Sequence, residues 1–354
     1  MVTIAIVMGL LAIVTGKVVG YPLRDPDGFL GPAWVRLPML CIGAFVVDIV
    51  PRTLWRSRFR IGQFRREARV LVREHWTRER IILVVLGLVC FYVTYVSYRN
   101  LKNFLVFVRG TKTREGDYEL HKLDHLLTFG SDPGILLHNL LGTGISAQAL
   151  SVVYLFFLPM VPISVTVWLV WSRNVSFGYW FVTSQCIAWT LGTASYYMIP
   201  TMGPNFAFEW IYQDVNDTGV GALVNSLWLG RQNVLRDPFA SGVQSVAGFA
   251  SLHVAITLLM ALIGQYTLRH RVLKIILWVY MSLTVISTTY FGWHYIADDI
   301  AGALIAFVAF YLGGIASGQK FDAHGRHSHP TTTTKDIPLE VPEERAPRFS
   351  RSDV

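Results

Sequence analysis

Long apolar stretches alternate along this chain with short polar blocks rich in arginine. Runs dominated by Val, Ile, Leu, Phe and Trp occupy Thr3–Gly20, Trp34–Val50, Ile81–Tyr98, Ala147–Trp171, Gly178–Met198, Ala247–Tyr266, Val272–Phe291 and Ile296–Gly314. Crossing a bilayer takes about 20 mostly apolar helical residues. The pattern therefore predicts an all-α polytopic membrane protein with eight spans. The first run lacks a basic start and a small-residue cleavage pattern, so it reads as a retained span and not as a signal peptide.

The polar blocks set an orientation. Arg52, Arg56, Arg58, Arg60, Arg65, Arg66, Arg69, Arg73, Arg78 and Arg80 crowd the region after the second run, against Glu67, Glu74 and Glu79. Basic residues beside spans favour the cytoplasmic side, and Arg173, Arg269, Arg271 and Lys274 fall in two later loops on that same side. Both termini are then expected in the cytoplasm of a cell that carries the protein in its plasma membrane. The connections Arg99–Ser146 and Pro200–Val246 would face outward. The expected regions are two N-terminal spans (1–51), an Arg-rich amphipathic cytoplasmic segment (52–80), a six-span domain (81–316) and a disordered cytoplasmic tail (317–354). Trp55, Phe59, Phe64 and Trp76 interleave with the arginines, as suits a helix lying on the inner leaflet. Leu120–Leu141 is a second amphipathic run, read as an interfacial or re-entrant helix at the outer surface.

Composition agrees with this picture. Of 354 residues, 53% are hydrophobic and only 15% charged, where a soluble domain carries about a quarter. The net charge of +8 sits in loops beside spans, where it meets lipid head groups, so nucleic acid is not an expected partner. Cys41, Cys90 and Cys186 lie in separate apolar runs and form no disulfide or zinc pattern. No glycine-rich phosphate loop or nucleotide fingerprint is present.

Ionisable residues at membrane depth are costly and mark function. Two clusters fit that description: Ser251-Leu-His253 at the outward end of the sixth span, and His294-x-x-x-Asp298 at the outward start of the eighth. A four-residue step puts His294 and Asp298 on one helical face. A carboxylate on one imidazole nitrogen fixes the tautomer and leaves the other as a lone pair. His253 would supply a second proton-transfer group, and Ser251 a hydroxyl for a phosphoryl oxygen. A single histidine at a span end is ordinarily an interfacial residue; two on one face, one with an Asp, are harder to explain so. Zinc is the other candidate ligand for two His and an Asp, but the spacing matches no zinc pattern.

Ser251-Leu-His253 followed by His294-x-x-x-Asp298 resembles the second and third motifs of the type 2 phosphatidic acid phosphatase superfamily. Its inositol phosphotransferases, including inositol phosphorylceramide synthase and bacterial relatives, look closest. Tyr98-Arg-Asn-Leu-Lys102 and Tyr197-Met-Ile-Pro-Thr201-Met-Gly-Pro204 fit the same branch. The resemblance covers Ile81–Gly314 and implies a six-helix catalytic core behind two extra N-terminal spans. It implies a nucleophilic His294 that becomes a phosphohistidine, an orienting Asp298, a proton-transferring His253 and a phosphate-holding Ser251, with no metal or cofactor. A phospholipid or polyprenyl-phosphate donor and a lipid alcohol, polyol or water acceptor are the implied partners. The reaction would be phosphotransfer, or phosphatase action if water accepts; a non-catalytic lipid-binding or transport protein is the reading from another class. The chain departs from the typical phosphatases by lacking their first motif and by carrying Ser287-Thr288 where they have Ser-Arg. Arg99, Lys102, Arg231 and Arg236 are the outward-facing candidates to balance the phosphate charge.

Overall fold

The computed structural model describes residues 1–25, 32–58, 60–172, 174–215, 217–237, 246–321 and 328–330. In chain order the α-helices are α1 (Val2–Val19), α2 (Ala33–Arg56), α3 (Ile61–His75), α4 (Arg78–Arg109), α5 (Thr113–Leu127), α6 (Pro133–Leu141) and α7 (Ile145–Trp171). They continue as α8 (Val175–Met198), α9 (Pro204–Ala207), α10 (Gly219–Arg236), α11 (Leu252–Thr267), α12 (Arg271–Tyr290) and α13 (Ile296–Ala316). This is an all-α polytopic membrane fold.

Each predicted span coincides with a helix. Six of them, α1, α2, α4, α7, α12 and α13, are long and apolar enough to cross a bilayer by length and composition. The outer faces of these helices expose Leu10, Val14, Ile42, Val272, Ile276 and Leu304. In water each would forfeit its burial energy at about 25 cal/mol per Å², so these faces belong in hydrocarbon. The other two differ for a physical reason. α8 has 24 residues but carries Ser184, Gln185 and Thr193; it sits at the centre of the bundle against α4, α11 and α13, where helices and not lipid surround it. α11 is apolar but has 16 residues.

Boundaries moved in three places. α4 does not end near Tyr98 but runs on to Arg109, carrying Arg99 and Lys102 on a rigid helix. The connection after α8 holds α10, an 18-residue helix capped by the Thr218 hydroxyl on Gly221 N–H. Its three glycines (Gly219, Gly221 and Gly230) hide it from a propensity reading. Finally, the segment expected as a disordered tail begins with order. Gln319–Phe321 (β1) pairs antiparallel with Ser328–Pro330 (β2), and Phe321 contacts Trp180, Phe310 and Tyr311. His324, His327 and residues 331–354 lie outside the described residues, as does Arg173.

The predicted interfacial run Leu120–Leu141 is two helices, α5 and α6, joined by a turn. The arginine-rich segment forms α3, which packs on α2. Following the helices end to end, α3 lies at one end of the bundle. The C-terminal ends of α4 and α8 and the N-terminal ends of α11 and α13 meet at the other, beneath α5, α6 and α10.

Candidate active site

Both histidine motifs reach that second end. α11 starts at Leu252 and α13 at Ile296, so His253 occupies the first turn of one helix and His294 the loop just before the other. The helices approach closely because Gly302 of α13 faces the Ser251 carbonyl, where any Cβ would collide. The Ser251 N–H donates to the Asp298 carbonyl at 2.9 Å, which pins the start of α11 to the first turn of α13.

His294 is not helical, yet it meets Asp298. The Asp298 carboxylate turns back over its own N-terminus, accepts the Tyr295 N–H at 3.1 Å and lies 3.3 Å from His294 Nδ1. On the opposite side of the ring, His294 Nε2 lies 3.4 Å from His253 Nδ1. Asp298 is wholly buried and His294 nearly so. Burial pushes the His294 imidazole down to about 4, with Asp299 opposing and Lys102 assisting the shift. The ring is therefore neutral at neutral pH, with a lone pair to offer. His253 stacks on Tyr154 and touches Phe157, and Tyr154 stacks in turn on Trp293.

The remaining candidates separate. Ser251 is fully buried; its hydroxyl caps α11 by accepting the Val254 N–H at 3.4 Å. The same hydroxyl hydrogen-bonds the Asp299 side chain, so it ties the start of α11 to the first turn of α13. Lys102 lies over the Tyr98 and Tyr196 rings and within electrostatic reach of both His253 and His294. Arg231 is buried on α10 within electrostatic reach of Asp117. Arg99 interacts with Tyr95, Tyr98 and Asp25, and Arg236 is exposed at the end of α10. At Thr288, where the typical phosphatases carry arginine, the hydroxyl instead donates to Asp299 at 3.0 Å.

Asp117, Asp124 and Asn205 support the site without having stood out in the sequence, whereas Thr201 and Gly203 belong to the Tyr197–Pro204 motif. Asp117 of α5 accepts the Met202 and Gly203 N–H groups, at 3.0 Å each, and the Tyr295 hydroxyl at 3.1 Å. Asp124, two turns on, accepts the Ile296 N–H at 3.1 Å. Burial pushes both carboxyls up to about 7. Gly203, at φ 98°, passes directly under the Trp293 carbonyl, and Asn205 donates to the Phe291 and Gly292 carbonyls. The Thr201 carbonyl and hydroxyl accept Gly248 and Phe249 N–H. The 201–205 segment thus clamps both histidine-bearing loops to α5. The indole Nε1 of Trp293 is buried without a hydrogen-bond partner among the described residues.

Fold and site together define a polytopic membrane protein with a buried His–Asp pair and a second imidazole at one end of its bundle. A family model described as the PAP2 superfamily matches residues 118–312, more than half of the 354 residues, and the chain belongs to that superfamily. Its members are generally phosphatases or phosphotransferases, and membership implies phosphoester hydrolysis or transfer on lipid-like substrates. No curated protein and no solved structure matches the chain.

Proposed function

We propose that the protein is a membrane-embedded phosphotransferase that moves a head-group phosphate unit from a lipid phosphoester to a hydroxyl acceptor through a phosphohistidine on His294. The observation that carries this is the two-sided pairing of the His294 ring, with Asp298 3.3 Å from Nδ1 and His253 3.4 Å from Nε2. Asp298 holds the tautomer that leaves the lone pair on Nε2. Nε2 attacks phosphorus, the bond from phosphorus to the departing lipid alcohol breaks, and protonated His253 gives that oxygen its proton. Neutral His253 then takes the proton of the acceptor hydroxyl. The acceptor oxygen attacks the same phosphorus, the P–N bond breaks and His294 is restored.

Room must be made for this. A near-attack geometry places Nε2 about 3–3.5 Å from phosphorus, with the departing oxygen beyond it. The two imidazoles are in contact at 3.4 Å, so phosphate entry must part them. His294 is tied to Asp298, which leaves His253, set against the Tyr154 and Phe157 rings, as the ring that gives way. Lys102, within electrostatic reach of both imidazoles, is the counter-charge for the phosphate; Arg231, Arg99 and Arg236 suit phosphate or head-group contacts. Balancing charge on the transferring group is most of the catalysis in phosphoryl transfer. A threonine at 288 removes the arginine of the phosphatases, and this favours the transferase branch, similar to inositol phosphotransferases. With the arginine-rich α3 at the cytoplasmic end, the site faces the extracytoplasmic side of what we take to be the plasma membrane.

The test uses purified protein in lipid nanodiscs with phosphatidic acid or phosphatidylinositol labelled in the phosphate, with and without a polyol or lipid alcohol. Label appearing in the added alcohol, and its loss in His294→Ala, is the expected result. Inorganic phosphate as the sole product would make the protein a phosphatase with water as acceptor. A product formed equally by His294→Ala would remove the phosphohistidine.

A further inference from the structure

Away from the paired histidines, α5 presents a second cluster of ligating side chains. His121 and His125 stand one turn apart on α5, and Asp132 occupies the residue just before α6. Asp132 Oδ1 lies 3.4 Å from His121 Nδ1 and 3.0 Å from His125 Nε2. A tetrahedral zinc ion with bonds of about 2.0–2.1 Å needs its ligand atoms about 3.3–3.4 Å apart. Two edges of that tetrahedron are nearly set. The three ligand atoms all lie within 4.8 Å of one another, so a modest ring rotation closes the third edge.

The local construction points the same way. An Asp just before a helix normally turns its carboxylate onto the first-turn N–H groups. Asp132 makes no such bond to α6, and Oδ1 faces the two imidazoles instead. The chain reverses there through Phe129 and Gly130, both at positive φ, with the Thr128 hydroxyl bonded to the Ser131 carbonyl. Phe208 stacks on His121 at 4.0 Å between centroids and fixes the plane of that ring. The three side chains keep 21%, 37% and 16% of their exposure, enough for an ion to enter and for water to take the fourth position.

We infer that His121, His125 and Asp132 form a binding site for a divalent transition-metal ion of the zinc class. The inference is independent of the phosphohistidine. It would act beside the reaction and not within it: Asp124, next to His125, carries the Ile296 N–H just after His294, so an ion that ties α5 to α6 stiffens the support of the site.

The experiment takes the full-length protein with His324, His327 and His329 replaced by alanine, strips it with a chelator and titrates it with Zn²⁺ alone against a chromogenic competitor. Co²⁺ in place of Zn²⁺ reads the geometry through its visible absorption. One equivalent should bind, with the strong visible bands of a tetrahedral site. Affinity should fall roughly 100-fold or more in Asp132→Ala and His125→Gln, because even second-sphere losses cost about 10–100-fold, and should be unchanged in His294→Ala. Zn²⁺ should also raise the thermal midpoint of the parent but not of the variants. Absence of stoichiometric binding, or binding as tight in both variants as in the parent, would overturn the proposal. If Asp132→Ala fails to fold without metal, His125→Gln decides the matter alone.

Discussion

His294 Nε2 lies 3.4 Å from His253 Nδ1, on the side of the imidazole opposite the one that Asp298 holds. The two histidines are therefore not equivalent. One has a carboxylate to fix its tautomer and stabilise charge, while the other is set among Tyr154 and Phe157 and has no carboxylate bond of its own among the hydrogen bonds described.

This asymmetry predicts graded losses. His294→Ala should reduce turnover by more than ~10⁴-fold, as removing a covalent nucleophile does. His253→Ala should cost about 10²–10⁴-fold, the range for a general acid–base group. Asp298→Asn should fall in a similar range, since it presents the wrong hydrogen-bonding pattern to Nδ1. Initial rates on labelled phospholipid, beside melting curves that confirm folding, measure all three.

Acidity gives an independent check. His294 is pushed down to about 4 from an ordinary value of 6.5. Between those limits the unfolded chain binds a proton that the folded chain refuses, so this residue adds stability as pH rises and removes it as pH falls from 6.5 toward 4. The acid limb of the single-turnover rate should accordingly report a group near 4 and not near 6.5. A pH profile from 3.5 to 8 in detergent, with melting temperatures at each point, distinguishes the two.

Placement of the cations predicts a split. Lys102→Met should lower kcat/KM strongly, because it removes positive charge within reach of both imidazoles. Arg236→Met, exposed at the end of α10, should change it by less than about threefold. Steady-state kinetics on the same lipid substrate resolve the difference.

The spans were legible in the sequence because a bilayer enforces apolar length and nothing else in the chain imitates it. The His294–Asp298 step was legible as well, though for a different reason than expected: His294 precedes α13, and the contact forms because the carboxylate folds back onto Tyr295 N–H. Asp117 and Asp124 were not legible. Their partners are the backbone N–H groups of Met202, Gly203 and Ile296, far away in sequence, and only a seven-residue step on one face of an amphipathic helix hinted at them. Ser251 stood out as a hydroxyl beside a histidine; its capping of α11 did not, because that role depends on the helix starting at Leu252.

The proposed topology rests on the arginines of α3. A membrane-impermeant thiol reagent should label Phe129→Cys, fully exposed between α5 and α6, from outside intact cells. Arg66→Cys on α3 should react only after the membrane is opened. The native cysteines are buried and free, which keeps the background low. The reverse pattern would put the site in the cytoplasm.

The most direct measurement is the covalent intermediate. Purified protein is mixed with phosphate-labelled phospholipid without acceptor, quenched in alkali within milliseconds to seconds, digested and sequenced by mass spectrometry. A base-stable, acid-labile adduct should appear on His294, be absent in His294→Ala, and disappear on addition of an alcohol acceptor as labelled product forms. Turnover that proceeds with no adduct on His294, or an adduct on His253 in its place, would contradict the assignment.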